Sequence, residues 1–207
     1  MKMFRSFPIQ GRPAKSPARM AKKTVKVLSF LFLSIPVLIL LVHPDWFTPD
    51  GSVPPILFFN LSKSAPYGFY ERKSGPVRKG SLAALCLPGP TARVALSKLY
   101  LIYNKKSSCP DHAPLVLKRI AATRGDVVHL DHRGISINGQ KIPGSGIHSV
   151  DSLGRTLDHW TYGTFTVGPG EIWVLGENIG VSWDSRYFGP VGAGNIRFAV
   201  IPLFTWR

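Results

Sequence analysis

An uncharged apolar run close to the N-terminus constrains this chain more than any other feature. Residues 27–42, VLSFLFLSIPVLILLV, carry no charge, and the 26 residues before them hold eight Lys/Arg and no acid. The run is shorter than the ~20 apolar residues that usually span a bilayer, but Lys26 can snorkel to the interface and extend it. We therefore expect a single-pass membrane anchor over residues 27–43, preceded by a basic cytoplasmic tail, residues 1–26. The positive-inside rule then places residues 44–207 outside the membrane.

Two other interpretations of the apolar run stay open. A cleaved signal peptide is disfavoured because HPDWFTPDG follows the run without a small-x-small cleavage site. The other alternative, a buried helix of a soluble domain, is disfavoured because it does not explain the 26-residue basic leader.

The positive charge of the chain is concentrated in this leader. The net charge is +15, yet the part from residue 27 onward has 18 bases against 11 acids. Membrane topology explains a basic leader better than DNA or RNA binding does, so we expect membrane lipid as a partner and no nucleic acid.

Short β-rich runs follow the anchor and predict a mostly antiparallel β domain, folded as a barrel or as paired sheets. They are GSLAALCL, APLVLKRIAA, DVVHL, GISING, FTV, EIWVLG and IRFAVIPLF. Asn138-Gly139 is the expected turn of a hairpin. Helix-like spacing is confined to residues 91–105, which predicts one short helix. Residues 131–168 read as a diverged insertion or peripheral lobe.

The chain has two cysteines, Cys86 and Cys109. In an exported domain such a pair predicts a disulfide, and two unrelated buried thiols are the alternative.

Common catalytic and metal-binding motifs are missing from the sequence, and we expect neither a cofactor nor a metal. HLDH at residues 129–132 is a weak metal signal in a hairpin region, where polar surface is the simpler interpretation. Ser145, His148 and Asp151 have the residue types of a Ser–His–Asp site, but nothing in the sequence positions them.

A serine can instead be activated by a neutral lysine, which must be desolvated so that its pKa falls. Lys118 stands in the apolar run APLVLKRIAA, and strict alternation sends Lys118 and Arg119 to opposite faces of a strand. From this run alone, an inward-facing Lys118 and a Lys118 on an exposed edge strand are equally good interpretations.

Three segments in order resolve the choice through a resemblance. SKSAPYGFY resembles the serine box of the S26 signal peptidase family, LVLKRIAATRGDVV its lysine box, and LGENIGVSWDSRYFGPV its third, acidic box. The resemblance spans roughly residues 57–130 and 168–203, and it implies a signal-peptidase-like antiparallel β catalytic domain. The form S-A-P-x-G-x-Y and the C-terminal PLFTW are more similar to the conjugative-transfer, TraF-like branch than to general leader peptidases.

The resemblance also implies roles for individual residues. Ser64 matches the nucleophile, Lys118 the general base and Asp184 a third catalytic member proposed in this branch. Further matches are the oxyanion hydroxyl Ser62, the lysine-orienting Ser182, and the ion-pairing residues Arg119, Glu177 and Arg186. The branch often has two cysteines in the region of Cys86 and Cys109.

The function implied by the resemblance is a serine endopeptidase of the bacterial inner membrane with a periplasmic catalytic domain. It would cleave, and in some members cyclise, a membrane-bound pilin precursor for conjugative DNA transfer. A general type I leader peptidase acting on exported preproteins is one alternative, and a catalytically inactive module that binds pilin during assembly is the other.

Overall fold

The computed structural model describes residues 57–206. The predicted basic tail and the predicted anchor lie outside these residues. Within residues 57–206, no helix has the length and apolar character needed to cross a membrane.

Seven antiparallel strands form the main sheet, in the spatial order β1-β2-β11-β3-β4-β9-β10. This arrangement confirms the predicted mostly antiparallel β domain and places β4, the strand of Lys118, between two neighbours. The strands are β1 (Leu57–Asn60), β2 (Tyr67–Lys73), β3 (Leu82–Leu85), β4 (Val116–Ala122), β9 (Glu171–Leu175), β10 (Val191–Gly192) and β11 (Ile196–Trp206).

A second sheet has four strands in the order β7-β6-β5-β8. Asn138 and Gly139, at φ 51° and 79°, form the predicted turn between β6 and β7, where the left-handed backbone favours these two residues. The strands are β5 (Val127–Asp131), β6 (Gly134–Ile137), β7 (Gln140–Lys141) and β8 (Gly163–Thr166).

The helix between the two cysteines, α1 (Gly89–Ser97), is shorter than the predicted 91–105. Leu99 takes a positive φ of 56°, and the N–H groups of Tyr100 and Leu101 return to the carbonyl of Ala95, which ends the helix. The apolar spacing after Ser97 therefore belongs to an irregular segment that leads back towards β4. A second helix, α2 (Ser185–Phe188), has only one turn.

Three apolar clusters form the core. The first lies between the main sheet and α1 and contains Leu85, Ile120 and Val174. The second joins the small sheet to β9 through Trp173. The third, which includes Ala65, Tyr70, Ala84, Leu117 and Phe198, underlies the segment that carries Ser64.

Cys86 and Cys109 form the predicted disulfide, with their Cα atoms 5.3 Å apart. It connects the end of β3 to the segment before β4, so it holds α1 and the following irregular chain against the sheet.

Candidate active site

The loop between β1 and β2 holds Ser62 and Ser64, and their hydroxyl oxygens are 3.0 Å apart. On one side of Ser64, the side chain of Ala65 is buried in the third cluster. The carbonyl oxygen of Ser64 accepts a hydrogen bond of 3.0 Å from the backbone N–H of Asn178. Packing and hydrogen bonding thus hold the backbone of Ser64 while its half-buried side chain stays close to Ser62.

Lys118 lies in the interior of the main sheet, with only 4% of its surface exposed. The edge-strand interpretation is therefore wrong: β4 pairs with β3 on one side and with β9 on the other. Lys118 Nζ donates a hydrogen bond of 2.6 Å to Ser182 Oγ. Arg119, the next residue, points to the exposed face, as the alternation of a strand requires.

Burial lowers the pKa of the Lys118 amine to about 8. The carboxylate of Asp184 acts against this shift, and the guanidinium of Arg186 adds to it. With a pKa of about 8, about one lysine in ten is neutral at pH 7, roughly 300-fold more than at the ordinary value of 10.5. A lysine in this environment has a substantial population of the free amine that a general base needs.

Asp184 and Arg186 form a fully buried ion pair beside the lysine. Arg186 Nε and Nη2 donate to the two carboxylate oxygens of Asp184 at 2.9 and 3.1 Å. The carboxylate also accepts from the backbone N–H groups of Gly176 and Arg186, and in doing so it caps α2. Every charge in the pair has a partner, which is the condition under which buried ions are tolerated.

A second ion pair joins Arg119 to Glu177 and thereby connects β4 to the segment after β9. Arg119 also donates to the carbonyl oxygen of Gly80. This pair is partly exposed, so its main effect is to fix the geometry between the two segments.

Gly176 brings the serine loop and the lysine together. A Cβ added at this position would lie 2.2 Å from Ser182 Oγ and 3.1 Å from the carbonyl oxygen of Ser64. The hydroxyl that holds Lys118 and the backbone of Ser64 therefore approach the same glycine. The Ser64 hydroxyl and the Lys118 amine form no hydrogen bond with each other in the described part of the chain.

A surface cleft of about 290 Å³ opens beside Ser64. Lys63, Ala65, Pro66, Tyr67, Glu177, Asn178 and Val181 line it. The cleft is bounded by the residues on either side of Ser64 and by the segment that follows Gly176, so an extended peptide lying in it would pass close to the Ser64 hydroxyl.

The other candidate residues do not assemble into a site. The buried Ser145 hydroxyl bonds to the backbone of Ile135 and Ile142, and Asp151 pairs with Arg155. His148 is engaged through its backbone N–H. In HLDH, one ring nitrogen of His129 lies 2.9 Å from Thr164 Oγ1. No group of metal-ligating side chains occurs among residues 57–206.

Sequence reasoning missed two residues that shape this site. Asn60, at the end of β1, forms the hydrogen bonds that organise the serine loop. An Asn that ends an apolar strand and precedes a Ser-rich turn is a signal for such a role. Gly176 appeared only as part of a motif, because its close contacts join segments that are distant in sequence.

Comparison with known proteins identifies similar sequences and a similar structure. Residues 27–203 match the family model "Signal peptidase, peptidase S26". A plasmid transfer protein TraF from Escherichia coli is 31% identical over 147 residues, covering 71% of this chain and 82% of that protein. A conjugal transfer protein TraF from Agrobacterium tumefaciens (strain 15955) is 32% identical over 151 residues, covering 72% and 82%. A signal peptidase I from Enterococcus faecalis V583 superposes with a TM-score of 0.35 at 20% identity, covering 61% of this chain and 98% of that chain.

Proposed function

The chain belongs to the signal peptidase S26 family, in a branch with TraF-like transfer proteins, and we propose that it is a membrane-anchored serine endopeptidase. Ser64 is the nucleophile and Lys118 the general base. The single observation that carries the proposal is the buried Lys118 amine, which has a lowered pKa and a hydrogen bond to Ser182 next to the Ser64 loop.

The reaction begins when neutral Lys118 takes the proton of the Ser64 hydroxyl as Ser64 Oγ attacks the scissile carbonyl carbon. The backbone N–H of Ser64 and the hydroxyl of Ser62 stabilise the oxyanion. The C–N bond then breaks, and the leaving amine takes the proton back from Lys118. Water resolves the resulting ester to a free carboxylate, or a peptide amine resolves it to a new amide and closes a ring.

The contacts around Lys118 suit this role because a neutral amine cannot be held in place by charge. Ser182 orients it through a hydrogen bond, and the buried Asp184–Arg186 pair fixes the segment that carries Ser182. Asp184 acts on the lysine through this segment and through its field, which opposes the effect of burial on the pKa of Lys118.

The substrate we propose is a membrane-bound pilin precursor of a conjugation system, cleaved near the outer surface of the bacterial inner membrane. The names of the relatives support this choice, since they are plasmid and conjugal transfer proteins. A general leader peptidase is the alternative within the family, and an inactive pilin-binding module is the alternative without catalysis.

Membrane lipid is proposed as a second partner. Phe204 and Trp206 of β11 are 67% and 44% exposed, and Phe59 of β1 lies 6.2 Å from the Trp206 ring. These side chains belong to β1, which leads into the Ser64 loop, and to β11, which pairs with the strand that follows this loop. Contact of this aromatic surface with the bilayer would keep the cleft near a membrane-bound substrate.

Mass spectrometry of the candidate pilin from cells that carry wild-type protein or Ser64→Ala tests the proposal. We expect the precursor to accumulate with Ser64→Ala alone. A mature mass one water below that of the linear peptide identifies cyclisation. Identical masses in the two strains would contradict cleavage of this substrate and favour the binding module.

A further inference from the structure

Asn60 occupies the centre of the serine loop with only 4% of its surface exposed. Its amide nitrogen donates to the carbonyl oxygens of Ser62, Ala65 and Pro66 at 3.0, 3.1 and 2.9 Å. Its Oδ1 accepts from the backbone N–H of Ser62 at 3.0 Å and contacts Ser62 Oγ at 2.8 Å. One buried side chain therefore holds both sides of Ser64.

The backbone partners fix the orientation of this amide. A flipped amide would set its oxygen against three carbonyl oxygens and its NH2 group against the N–H of Ser62, and all of these contacts would be repulsive. Oδ1 consequently faces Ser62.

This orientation determines how the Ser62 hydroxyl is used. Oδ1 of Asn60 can only accept, so the Ser62 hydroxyl must donate its one proton to Asn60. Ser62 Oγ is then the acceptor in its 3.0 Å contact with Ser64 Oγ, and the Ser64 hydroxyl must be the donor. In this resting arrangement the Ser64 proton is directed at Ser62 and not at Lys118.

We propose that Asn60 is a positioning residue, which holds the nucleophile loop through its NH2 group and sets the hydroxyl directions of Ser62 and Ser64 through Oδ1. This inference rests on the proposed peptidase function. During attack, the Ser62 proton leaves Asn60 for the oxyanion and the Ser64 proton turns to Lys118. Oδ1 keeps the Ser62 N–H throughout, so only hydroxyl rotations are needed and the backbone stays in place.

The prediction is a loss of kcat with little change in KM, because Asn60 is absent from the lining of the cleft and its side chain hydrogen-bonds to the loop. Removing both its donors and its acceptor with Asn60→Ala should lower kcat by about 10- to 100-fold, the range expected when a positioning contact near the reacting groups is lost. Asn195→Ala is the control, since its amide also donates to the backbone, but to one carbonyl only, that of Gly192, which lies outside the serine loop. We expect the control to keep wild-type kcat.

A double-mutant cycle separates positioning from general damage to the fold. Kinetics are measured on the full-length protein in detergent with a peptide that spans the cleavage junction of the candidate pilin. Asn60 is expected to act partly through the Ser62 hydroxyl. The fold-loss of kcat in the double variant Asn60→Ala, Ser62→Ala should then be at least about threefold smaller than the product of the fold-losses in the two single variants. If Asn60→Ala causes only structural damage, the fold-loss of kcat in the double variant equals the product of the two single losses within about twofold.

The outcomes distinguish this inference from the proposed function. Cleavage of the peptide by wild-type protein and not by Ser64→Ala supports the peptidase. If Asn60→Ala then keeps wild-type kcat, or if its loss of kcat multiplies fully with that of Ser62→Ala, the role of Asn60 is refuted and the peptidase stands. If wild-type protein fails to cleave, the peptidase proposal falls, and the inference falls with it. Should Asn60→Ala not fold, Asn60→Ser takes its place in the cycle, since a short hydroxyl refills part of the polar site without reaching the same partners.

Discussion

Replacing Lys118 by Met should stabilise the protein at neutral pH while it abolishes activity. The buried amine has a pKa of about 8 in the folded protein, against an ordinary value of 10.5. At about 1.4 kcal/mol per pH unit, this difference means that holding a charged Lys118 in the fold costs about 3 kcal/mol at pH 7. Met has a similar length and no charge, so it escapes this cost.

The pH dependence follows from which state holds the proton. Below pH 8 the lysine is protonated in both the folded and the unfolded chain, and the full cost applies. Between about 8 and 10.5 the unfolded chain holds more protons than the folded one, so the wild-type protein gains stability as the pH rises. Above 10.5 the lysine is neutral in both states and the cost has disappeared.

One opposing effect does not depend on this titration. Lys118→Met removes the hydrogen bond to Ser182 and leaves a buried hydroxyl without that partner, which costs about 1–2 kcal/mol. We therefore expect the variant to be about 1–2 kcal/mol more stable than wild type at pH 7. Between pH 7 and pH 10.5, the difference in free energy of unfolding between the two proteins should shift by about 3 kcal/mol in favour of wild type.

Urea unfolding of the full-length proteins, followed by tryptophan fluorescence at several pH values from 7 to 10.5, measures this difference. Lys141→Met, at an exposed position on β7, controls for the loss of a lysine as such. A stability difference between wild type and Lys118→Met that stays constant over this pH range would refute the reasoning, because it would mean that burial does not lower the pKa of Lys118.

Three further predictions concern the two ion pairs, Gly176 and the disulfide. Asp184→Asn leaves the buried guanidinium of its ion pair without a counter-charge and should lower the free energy of unfolding by about 3–5 kcal/mol. Glu177→Gln changes a partly exposed pair and should lower it by less than about 1 kcal/mol in the same denaturation assay. Gly176→Ala places a Cβ 2.2 Å from the hydroxyl that holds the lysine and should lower kcat by about 10- to 100-fold in a peptide assay. Gly180 has open space around it, so Gly180→Ala should leave kcat unchanged in the same assay. Replacing both cysteines by serine opens the loop that the disulfide closes and should lower the free energy of unfolding by about 3 kcal/mol. Equal stability of the variant and the oxidised wild type would contradict this prediction.

The β-rich runs, the hairpin turn at Asn138-Gly139 and the disulfide followed directly from the sequence, because each depends on a local pattern or on a single pair of residues. The position of Lys118 did not. A lysine in an apolar run fits a buried strand and an exposed edge equally well. The run alone could not decide between them, the family resemblance favoured the buried position, and the pairing of β4 with β3 and β9 shows it.

Contacts between distant segments explain what the sequence could not reveal. Gly176 looked like part of a motif, but its role is to admit Ser182 and the Ser64 carbonyl to the same space. The helix predicted to reach residue 105 ends at Ser97, because the chain must turn back towards the disulfide and β4. Such outcomes depend on tertiary packing, which overrides local spacing.

The pH dependence of kcat/KM for a junction peptide, measured with the full-length protein, tests the central claim that a desolvated lysine activates Ser64. We expect kcat/KM to rise with pH and to level off with a midpoint near the lysine pKa of about 8, and Lys118→Ala to lack activity at every pH. A midpoint near 6.5, typical of a histidine base, or cleavage that survives in Lys118→Ala, would contradict the account.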